Sequence, residues 1–273
     1  MGLEREIISW LSEQAPIGDD CAVLSCEPWG TLLVTVDSVI DGVHAHWDEH
    51  GPGAFGYKAV ARGMSDIAAM GGEPLWAVVA ATFPDGATLD DAKALHKGAA
   101  RAGCKLVGGD TASGPVATVT ATVIGRTHKK GPVLRSGARI GDGIYVTGPL
   151  GGSLRSGRHL RFVPKVEEAR RLRDAADLGA MIDLSDGLST DLHHILDASG
   201  VGCVLDAKSI PLHEGCALQN ALGDGEDYEL LFTAAGTPPL GVRIGEIIEQ
   251  GAMLRLAHGE EVPFGPTGYE HDS

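Results

Sequence analysis

Short apolar segments alternate along this chain with amphipathic segments of helical length, and most of the apolar segments end at a glycine or an aspartate. Residues 31–37, 75–83, 104–108 and 116–126 have the β-branched, apolar composition of strands. Residues 54–70 and 88–102 instead repeat apolar side chains at helical spacing. Strands and helices that alternate in this way predict a mixed α/β (α+β) fold.

The second half of the chain continues the alternation. Helices are predicted there near 150–157 and at 165–176 and 187–198, and strands at 143–147, 180–184, 201–206, 228–233 and 241–247. A further helix is predicted at the start of the first half, at 3–13. Between the two halves, residues 131–142 (GPVLRSGARIGD) are rich in glycine and charge and have the composition of a linker. The sequence therefore predicts two domains, at 1–130 and 131–273.

The composition places the chain among ordinary globular proteins. It has 273 residues, 43% of them hydrophobic, and no apolar run approaches the roughly 18 residues that a transmembrane helix needs. Its start carries Glu4 and Glu6 instead of the basic region of a secretory signal, and its five cysteines include no CxxC pair. We expect a cytoplasmic protein with reduced thiols and no membrane partner.

The net charge of −15 argues against a nucleic-acid partner, because binding to phosphates needs a basic surface and no cluster of lysine and arginine supplies one. Acidity of this kind usually serves solubility. A second interpretation is that some of the carboxylates hold divalent cations.

Aspartates recur at strand ends and in glycine-flanked turns, within IGDDCAV (17–23), TVDS (35–38), MSDIAA (64–69), GGDTASGP (108–115) and IDLSDGL (182–188). Any one of these motifs alone is explained as a turn or a helix cap. Together they suggest a convergent site, in which two carboxylates about 4 Å apart repel by roughly 4 kcal/mol at an effective dielectric near 20. Such a cluster requires a cation, and oxygen donors without EF-hand spacing favour Mg²⁺ shared with substrate phosphates.

Other sequence motifs that would indicate a nucleotide-binding or metal-binding site are missing or ambiguous. The chain has no GxxxxGK[ST] loop and no clean GxGxxG, so a nucleotide would depend on metal bridges and on basic residues such as Lys58, Arg62 and Arg135. The histidines at 44, 46 and 50 leave a zinc site open as an alternative, although no further ligand completes it. The acidic run GDGEDYELLFT (223–233) predicts either a rim that displays Glu226 and Asp227 or a plain exposed hairpin.

Seven motifs, taken in order, resemble the thiamine-monophosphate kinase family, within the superfamily that includes aminoimidazole ribonucleotide synthetase and selenophosphate synthetase. They are IGDDCAVL, VTVDSVIDGVH, KAVARGMSDIAAMGGEP, LVGGDTASGP, RSGARIGDGIYVTGPLG, MIDLSDGLSTDLHHIL and GDGEDYELLFT. The resemblance covers nearly the whole chain, from about residue 15 to the C-terminal TGYEH. GEDYELLFT and the DxxxxGxH pattern at 37–44 are specific to the kinase within that superfamily.

The resemblance implies a two-domain aminoimidazole ribonucleotide synthetase-like fold whose N-terminal domains pair across a homodimer. It implies direct, in-line transfer of phosphate from ATP to thiamine monophosphate, assisted by several Mg²⁺ ions and by the charge of Arg135, with no catalytic nucleophile. By motif, the metal ligands would be Asp20, Thr35, Asp37, Asp66, Asp110, Asp183 and Asp186. The residues in contact with ATP would be Gly109, Asp110, Arg135 and Ser185, and those in contact with thiamine monophosphate His44, Glu226 and Tyr269.

The chain also departs from the family pattern. Val36 replaces a usual Thr or Ser, so a metal contact there would use its backbone carbonyl, GDGED replaces the usual GGED, and the 151–170 segment is short. Two alternatives therefore stay open. One is an ATP-dependent enzyme of the same superfamily with a different substrate, and the other is a non-catalytic descendant that binds nucleotide.

Overall fold

The computed structural model describes residue 10, residues 18–26 and residues 30–268, and this part of the chain forms two β-sheets with packed helices. The strands are β1 (Ala22–Cys26), β2 (Gly30–Ile40), β3 (Glu73–Phe83), β4 (Lys105–Ser113), β5 (Thr118–Arg126), β6 (Gly143–Val146), β7 (Asp177–Asp183), β8 (Gly202–Asp206), β9 (Leu230–Ala235), β10 (Val242–Ile248), β11 (Ala252–Arg255) and β12 (Glu261–Pro263). The helices are α1 (Trp47–Ala69), α2 (Leu89–Arg101), α3 (Ser153–Ser156), α4 (Val166–Ala175), α5 (Leu188–Ser199) and α6 (Leu218–Gly223), with a 3₁₀ turn at Arg158–Leu160. The predicted mixed fold is confirmed.

The first sheet has the strand order β1-β2-β5-β3-β4, and its pairs are antiparallel except that β3 and β4, joined by α2, run parallel. Alternate residues of these strands point to opposite faces. One face packs Leu33 and Ala77 against Phe55 and Ile67 of α1. The other face carries exposed apolar side chains, which include Val36.

The second sheet has the order β12-β11-β8-β10-β6-β9-β7, antiparallel apart from the parallel pair β8 and β11. Helix α5 covers it with Leu188, Leu192 and Ile195, all fully buried, against Ile182 and Leu231 of the strands. The apolar stripe at i, i+4 and i+7 explains why this segment forms a helix on the sheet.

A third apolar cluster joins the two halves of the molecule. Ala68 and Ala69, at the end of α1, pack with Leu172 of α4, Met181 of β7 and Phe232 of β9. The last turns of α1 are therefore held beside β7. This contact brings polar residues of α1 next to the end of β7, where the site described below lies.

The predicted elements that fall on described residues lie within three residues of these bounds, except that α1 begins seven residues before the predicted start and β4 ends five residues after the predicted end. The predicted helix at 3–13 lies outside the described residues. The sequence reading missed β1, α6, β11 and β12. The predicted division at 130/131 falls between β5 and β6, and it stays a prediction. Among the described residues, every helix is too short or too polar to span a bilayer.

Candidate active site

Three buried carboxylates from separate elements meet at the junction of the two halves. Asp20 precedes β1, Asp66 lies in the last turns of α1, and Asp183 is the final residue of β7. Their oxygen atoms lie within 4.8 Å of one another. The convergence that the aspartate motifs suggested is therefore present for these three residues.

Each of the three carboxylates has a partner that fixes its orientation. Thr35 Oγ1 donates to Asp66 Oδ2 at 2.5 Å, and Ser65 Oγ donates to Asp183 Oδ2 at 2.5 Å. The third carboxylate, that of Asp20, accepts at its Oδ1 from the Arg135 guanidinium at 3.0 Å. Ser65 was not expected from the sequence, because a serine inside a helix gives no signal that its hydroxyl reaches another element.

Burial and mutual repulsion oppose the charged form of this cluster. Burial raises the pKa of Asp183 to about 7, and the charge on Asp20 contributes further. Burial and the neighbouring Asp37 raise the pKa of Asp66 well above its ordinary value, and burial raises that of Asp20 despite Arg135. A divalent cation would relieve this repulsion. The donor set of carboxylates and a hydroxyl fits a hard cation such as Mg²⁺.

Asp37 is close enough to the cluster for its charge to act on Asp66 and Asp183, and it is paired with an arginine. Arg62 Nη2 is 2.9 Å from Asp37 Oδ1, and Arg62 Nη1 donates to the carbonyl of Ser38 at 2.8 Å. The arginine is thus fixed at the end of β2 by two partners. Its guanidinium also lines a neighbouring cavity.

That cavity is narrow, about 50 Å³, and lies between the two halves of the molecule. It is lined by Val43, His44, Arg62, Leu154, Ser185, Asp186, Asp224, Glu226 and Tyr228. Ser185 and Asp186 follow Asp183 in the chain, so the carboxylate cluster and the cavity are parts of one cleft. Two predicted substrate contacts, His44 and Glu226, are brought together in it.

Glu226 is held by buried basic groups. Its Oε2 forms an ion pair with Lys58 Nζ, and it lies 3.6 Å from His159 Nδ1. Lys58 is fully buried, and its ammonium also donates to the carbonyl of His44 at 2.8 Å. Burial raises the pKa of Glu226, but His159, Lys58 and Arg62 outweigh burial and lower the value to about 2.

The expectation that Glu226 and Asp227 sit at a rim is wrong. Their side chains are only 15% and 4% exposed. Glu226 faces Lys58, and Asp227 Oδ2 accepts from the backbone N–H of Gly151 at 2.7 Å. The sequence favoured a rim because acidic side chains are rarely buried without partners, and the nearest partner in the chain, His159, is 67 residues from Glu226.

A second group of possible metal-binding atoms comprises Asp186, Asp191 and His194. Asp191 has a structural role here, since its Oδ2 accepts from the backbone N–H groups of Asp186 and Gly187, both at 3.1 Å. Asp191 thereby fixes the turn that carries Ser185 and Asp186, a role that the sequence reading did not identify.

The remaining predicted site residues lie elsewhere. Gly109 and Asp110 lie on β4, the edge strand of the first sheet, and line a separate cavity of about 420 Å³ beside α2. A side chain at Gly109 would meet the carbonyl of Val79 at 2.0 Å, so the close approach of β3 already requires glycine there. Tyr269 lies outside the described residues.

The histidine motif does not form a zinc site in the described part of the chain. His44 Nδ1 accepts from the N–H of Ile40 at 3.2 Å, and His50 Nδ1 accepts from the N–H of His46 at 3.0 Å. These bonds shape the loop before α1 and the first turn of the helix. The groups of atoms that could hold a metal do not include His44, His46 or His50.

Comparison with known proteins gives a consistent result. The family model "AIR synthase related protein, N-terminal domain" matches residues 18–127. The chain is 35% identical to a thiamine-monophosphate kinase of Rhodopirellula baltica over 291 aligned positions, which cover 93% of this chain and 90% of the relative. It is 36% identical to the Salmonella typhimurium thiamine-monophosphate kinase, with coverages of 98% and 95%.

A solved structure is similar over the same extent. The protein described as AaThiL complexed with AMPPCP and TMP superposes with a TM-score of 0.85 at 28% identity. The match covers 98% of this chain and 97% of that one. The similarity therefore extends over both sheets and is not confined to the N-terminal half.

Proposed function

The chain belongs to the thiamine-monophosphate kinase family, and from this premise we propose that it uses ATP to phosphorylate thiamine monophosphate to thiamine diphosphate. The observation that carries the proposal is the convergence of Asp20, Asp66 and Asp183 beside a cavity that contains His44 and Glu226. A phosphoryl-transfer enzyme needs such a pairing of a charge-neutralising centre with an acceptor pocket.

The reaction requires no nucleophilic side chain. An oxygen of the acceptor phosphate forms a bond to the γ-phosphorus of ATP, while the bond from that phosphorus to the β–γ bridging oxygen breaks and ADP leaves with the electron pair. The attacking oxygen of a dianionic phosphate carries no proton, so no general base is needed. The protein's task is to align the two substrates and to stabilise their charge.

We assign the metal-binding role to the carboxylates of the cleft, Asp20, Asp37, Asp66, Asp183 and Asp186, with Thr35 beside them. When bound, Mg²⁺ would neutralise phosphate charge and align the reacting oxygens. The raised pKa values of Asp20, Asp66 and Asp183 support this assignment, because a buried acidic cluster of this density is poorly stable without a cation. The role of Asp110, on β4, rests on the motif resemblance.

We place the nucleotide beside Arg135 and Ser185. Arg135 donates to Asp20, so the guanidinium lies at the edge of the carboxylate cluster. There its positive charge can stabilise the transferring phosphoryl group. Ser185 lies in the turn fixed by Asp191. Gly109 stays a motif-based proposal for an ATP contact, as does Tyr269 for the thiamine ring.

On the acceptor side, His44 and Glu226 would contact thiamine monophosphate. Glu226 is held in its charged form by Lys58 and His159, so it presents a fixed negative charge to the cationic thiamine. His159 comes from the short 3₁₀ turn in the trimmed 151–170 segment. The shortened segment therefore still supplies a residue that supports the proposed pocket.

The test is a coupled assay for ADP release from the purified protein, with ATP, Mg²⁺ and thiamine monophosphate. We expect ADP release that requires both Mg²⁺ and thiamine monophosphate, and a loss of at least about 100-fold in Asp183→Asn, because the substitution removes a charge from the buried cluster. Asp90→Asn, at a side chain that is 87% exposed on α2, is the matched control and should keep full activity.

Three outcomes would contradict the proposal. Full activity in excess chelator would exclude the metal role. Preference for an aminoimidazole or hydrogenase-maturation acceptor would indicate another enzyme of the superfamily. Binding of ATP without turnover on any acceptor would indicate a non-catalytic descendant.

We further propose a homodimer formed through the open face of the first sheet, defined here by Val34, Val36, Trp76, Val107 and Ile124. Val36 and Val107 are 63% and 54% exposed, and Trp76 is 39% exposed. Strand register places Val34, Ile124 and Trp76 in one row across three strands. A continuous apolar surface of this kind usually marks an interface.

A further inference from the structure

Tyr228 combines two unfavourable features within the cleft. Its backbone has φ of 52°, and Glu226 at 58° is the other non-glycine residue with positive φ in the described part of the chain. A left-handed conformation is unfavourable for a bulky L-residue, because its Cβ approaches the following carbonyl oxygen. Residues held in this way tend to cluster at binding and catalytic sites, where the surrounding structure maintains them.

The ring of Tyr228 is rigidly packed. It stacks on Phe162 with a centroid distance of 3.9 Å and an interplanar angle of 14°. The carbonyl of Phe162 in turn accepts a hydrogen bond from the Tyr57 hydroxyl at 2.5 Å. The position of the Tyr228 hydroxyl is therefore set by packing and does not depend on a hydrogen bond of its own.

That hydroxyl is the second unfavourable feature. Tyr228 is 2% exposed, and its Oη has no hydrogen-bond partner among the residues that the structure describes. An unsatisfied buried hydroxyl loses its hydrogen bonds to water without compensation, so native proteins rarely keep one without a reason. Tyr228 lines the same cavity as His44, Arg62 and Glu226.

The charged groups around this tyrosine come from both sides of the cleft. Burial raises the pKa of Tyr228 well above its ordinary value, Arg62 opposes the rise, and Glu226, Asp37 and Asp183 add to it. The hydroxyl therefore keeps its proton and can only donate to an anion. Tyr228 lines the cavity with His44 and Glu226, and the carboxylates of Asp37 and Asp183 are close enough for their charges to act on it.

We propose that the Tyr228 hydroxyl donates a hydrogen bond to the phosphate group of thiamine monophosphate and orients its attacking oxygen. This inference rests on the proposed kinase function and deepens it. Two groups of the cavity would then bind the same phosphate. Arg62 would stabilise its negative charge, and the neutral Tyr228 hydroxyl would fix its orientation. A fixed neutral donor limits the orientations of the acceptor phosphate before transfer.

The test compares wild type with Tyr228→Phe, which removes only the hydroxyl and keeps the stack on Phe162. We expect the loss of a hydrogen bond to a charged group to lower both thiamine monophosphate affinity and kcat/KM about 10- to 100-fold. Calorimetry should show unchanged binding of unphosphorylated thiamine and of AMPPCP. Because the deleted group is unpartnered in the free protein, the melting temperature without ligand should not fall.

Tyr145→Phe is the matched control, since Tyr145 donates to the carbonyl of Gly236 in the second sheet, away from the cleft. It should bind thiamine monophosphate as wild type does. The inference is overturned if Tyr228→Phe binds thiamine monophosphate normally, if it loses thiamine affinity equally, or if it loses AMPPCP affinity instead. A wild-type protein that neither binds nor phosphorylates thiamine monophosphate would instead disprove the kinase function itself.

Discussion

At the scale of single residues, the segment from Glu226 to Tyr228 shows how far sequence carries the site. Its acidic, glycine-bracketed motif identified it as a site, and Glu226 does line the cleft. The motif did not indicate that Glu226 is paired with Lys58 and His159, or that Asp227 accepts from the N–H of Gly151. These partners are distant in sequence, and local pattern carries no information about which buried base meets which buried acid.

Asp227 gives a prediction about pH. Burial raises its pKa from 3.8 to about 6, an effect opposed by the Gly151 N–H and Arg158. Because the folded-state pKa exceeds the unfolded one, the folded protein binds the proton more tightly, and this contribution to stability is lost as pH rises from about 4 to about 6. The shift corresponds to about 3 kcal/mol at 1.36 kcal/mol per pKa unit.

We therefore expect Asp227→Asn, which cannot ionise, to gain up to about 3 kcal/mol relative to wild type between about pH 4 and about pH 7. Urea unfolding across that range measures the difference in free energy of unfolding. Asp90→Asn, at the exposed position used above, should follow the wild-type pH dependence. A constant difference between Asp227→Asn and wild type at every pH would contradict the assigned pKa.

At the scale of elements, sequence periodicity located the long helices and strands, but among the short elements it missed β1, α6, β11 and β12. α6 has six residues, β11 four and β12 three, which is too few for a period of 3.6 or 2 to become visible. Glycines in the helices were equally uninformative, because propensity alone treats Gly98 in α2 as a weak position. In the structure, α1 and α2 pack with their backbones in close contact, and Gly98 leaves no room for a side chain between them.

Gly98 is the basis of a packing prediction. A Cβ at this position would lie 1.9 Å from the carbonyl oxygen of Gly53 in α1, and backbone cannot move aside as a flexible side chain can. We expect Gly98→Ala to lower the free energy of unfolding by about 3 kcal/mol, the upper part of the range for overpacking, although alanine has the higher helix propensity.

The measurement is the urea midpoint of unfolding. Gly265→Ala is the matched control, because a Cβ there meets nothing within 4 Å, and it should change the free energy of unfolding by less than about 1 kcal/mol. Equal or greater stability of Gly98→Ala would show that the two helices are free to separate.

At the scale of the whole molecule, the sequence predicted that the motif aspartates converge, but not which of them do so. Asp20, Asp66 and Asp183 meet because α1 bridges the two halves. Asp110 was predicted to join them, yet the sheet order places β4 three strands from β2, about 14 Å at ordinary strand spacing. Strand order depends on long-range pairing, which local pattern does not specify. The role of Asp110 at the metal therefore stays a prediction.

The open face of the first sheet gives the final prediction. A two-fold homodimer through this face would bring two copies of the same surface together, so that each substitution acts twice in the interface. Val36→Glu would bury two carboxylates in an apolar contact, at a cost of several kcal/mol. We expect wild type to sediment at twice 28.3 kDa and Val36→Glu to sediment as the 28.3 kDa monomer.

Ile140→Glu is the matched control, because Ile140 is 65% exposed, like Val36, but lies in the turn before β6, outside the first sheet. It should sediment as wild type does. Sedimentation equilibrium over a range of protein concentrations separates dissociation from unfolding, and circular dichroism of the Val36→Glu monomer checks that both sheets remain folded. A monomeric wild type, or a dimer that survives Val36→Glu, would contradict the proposed interface.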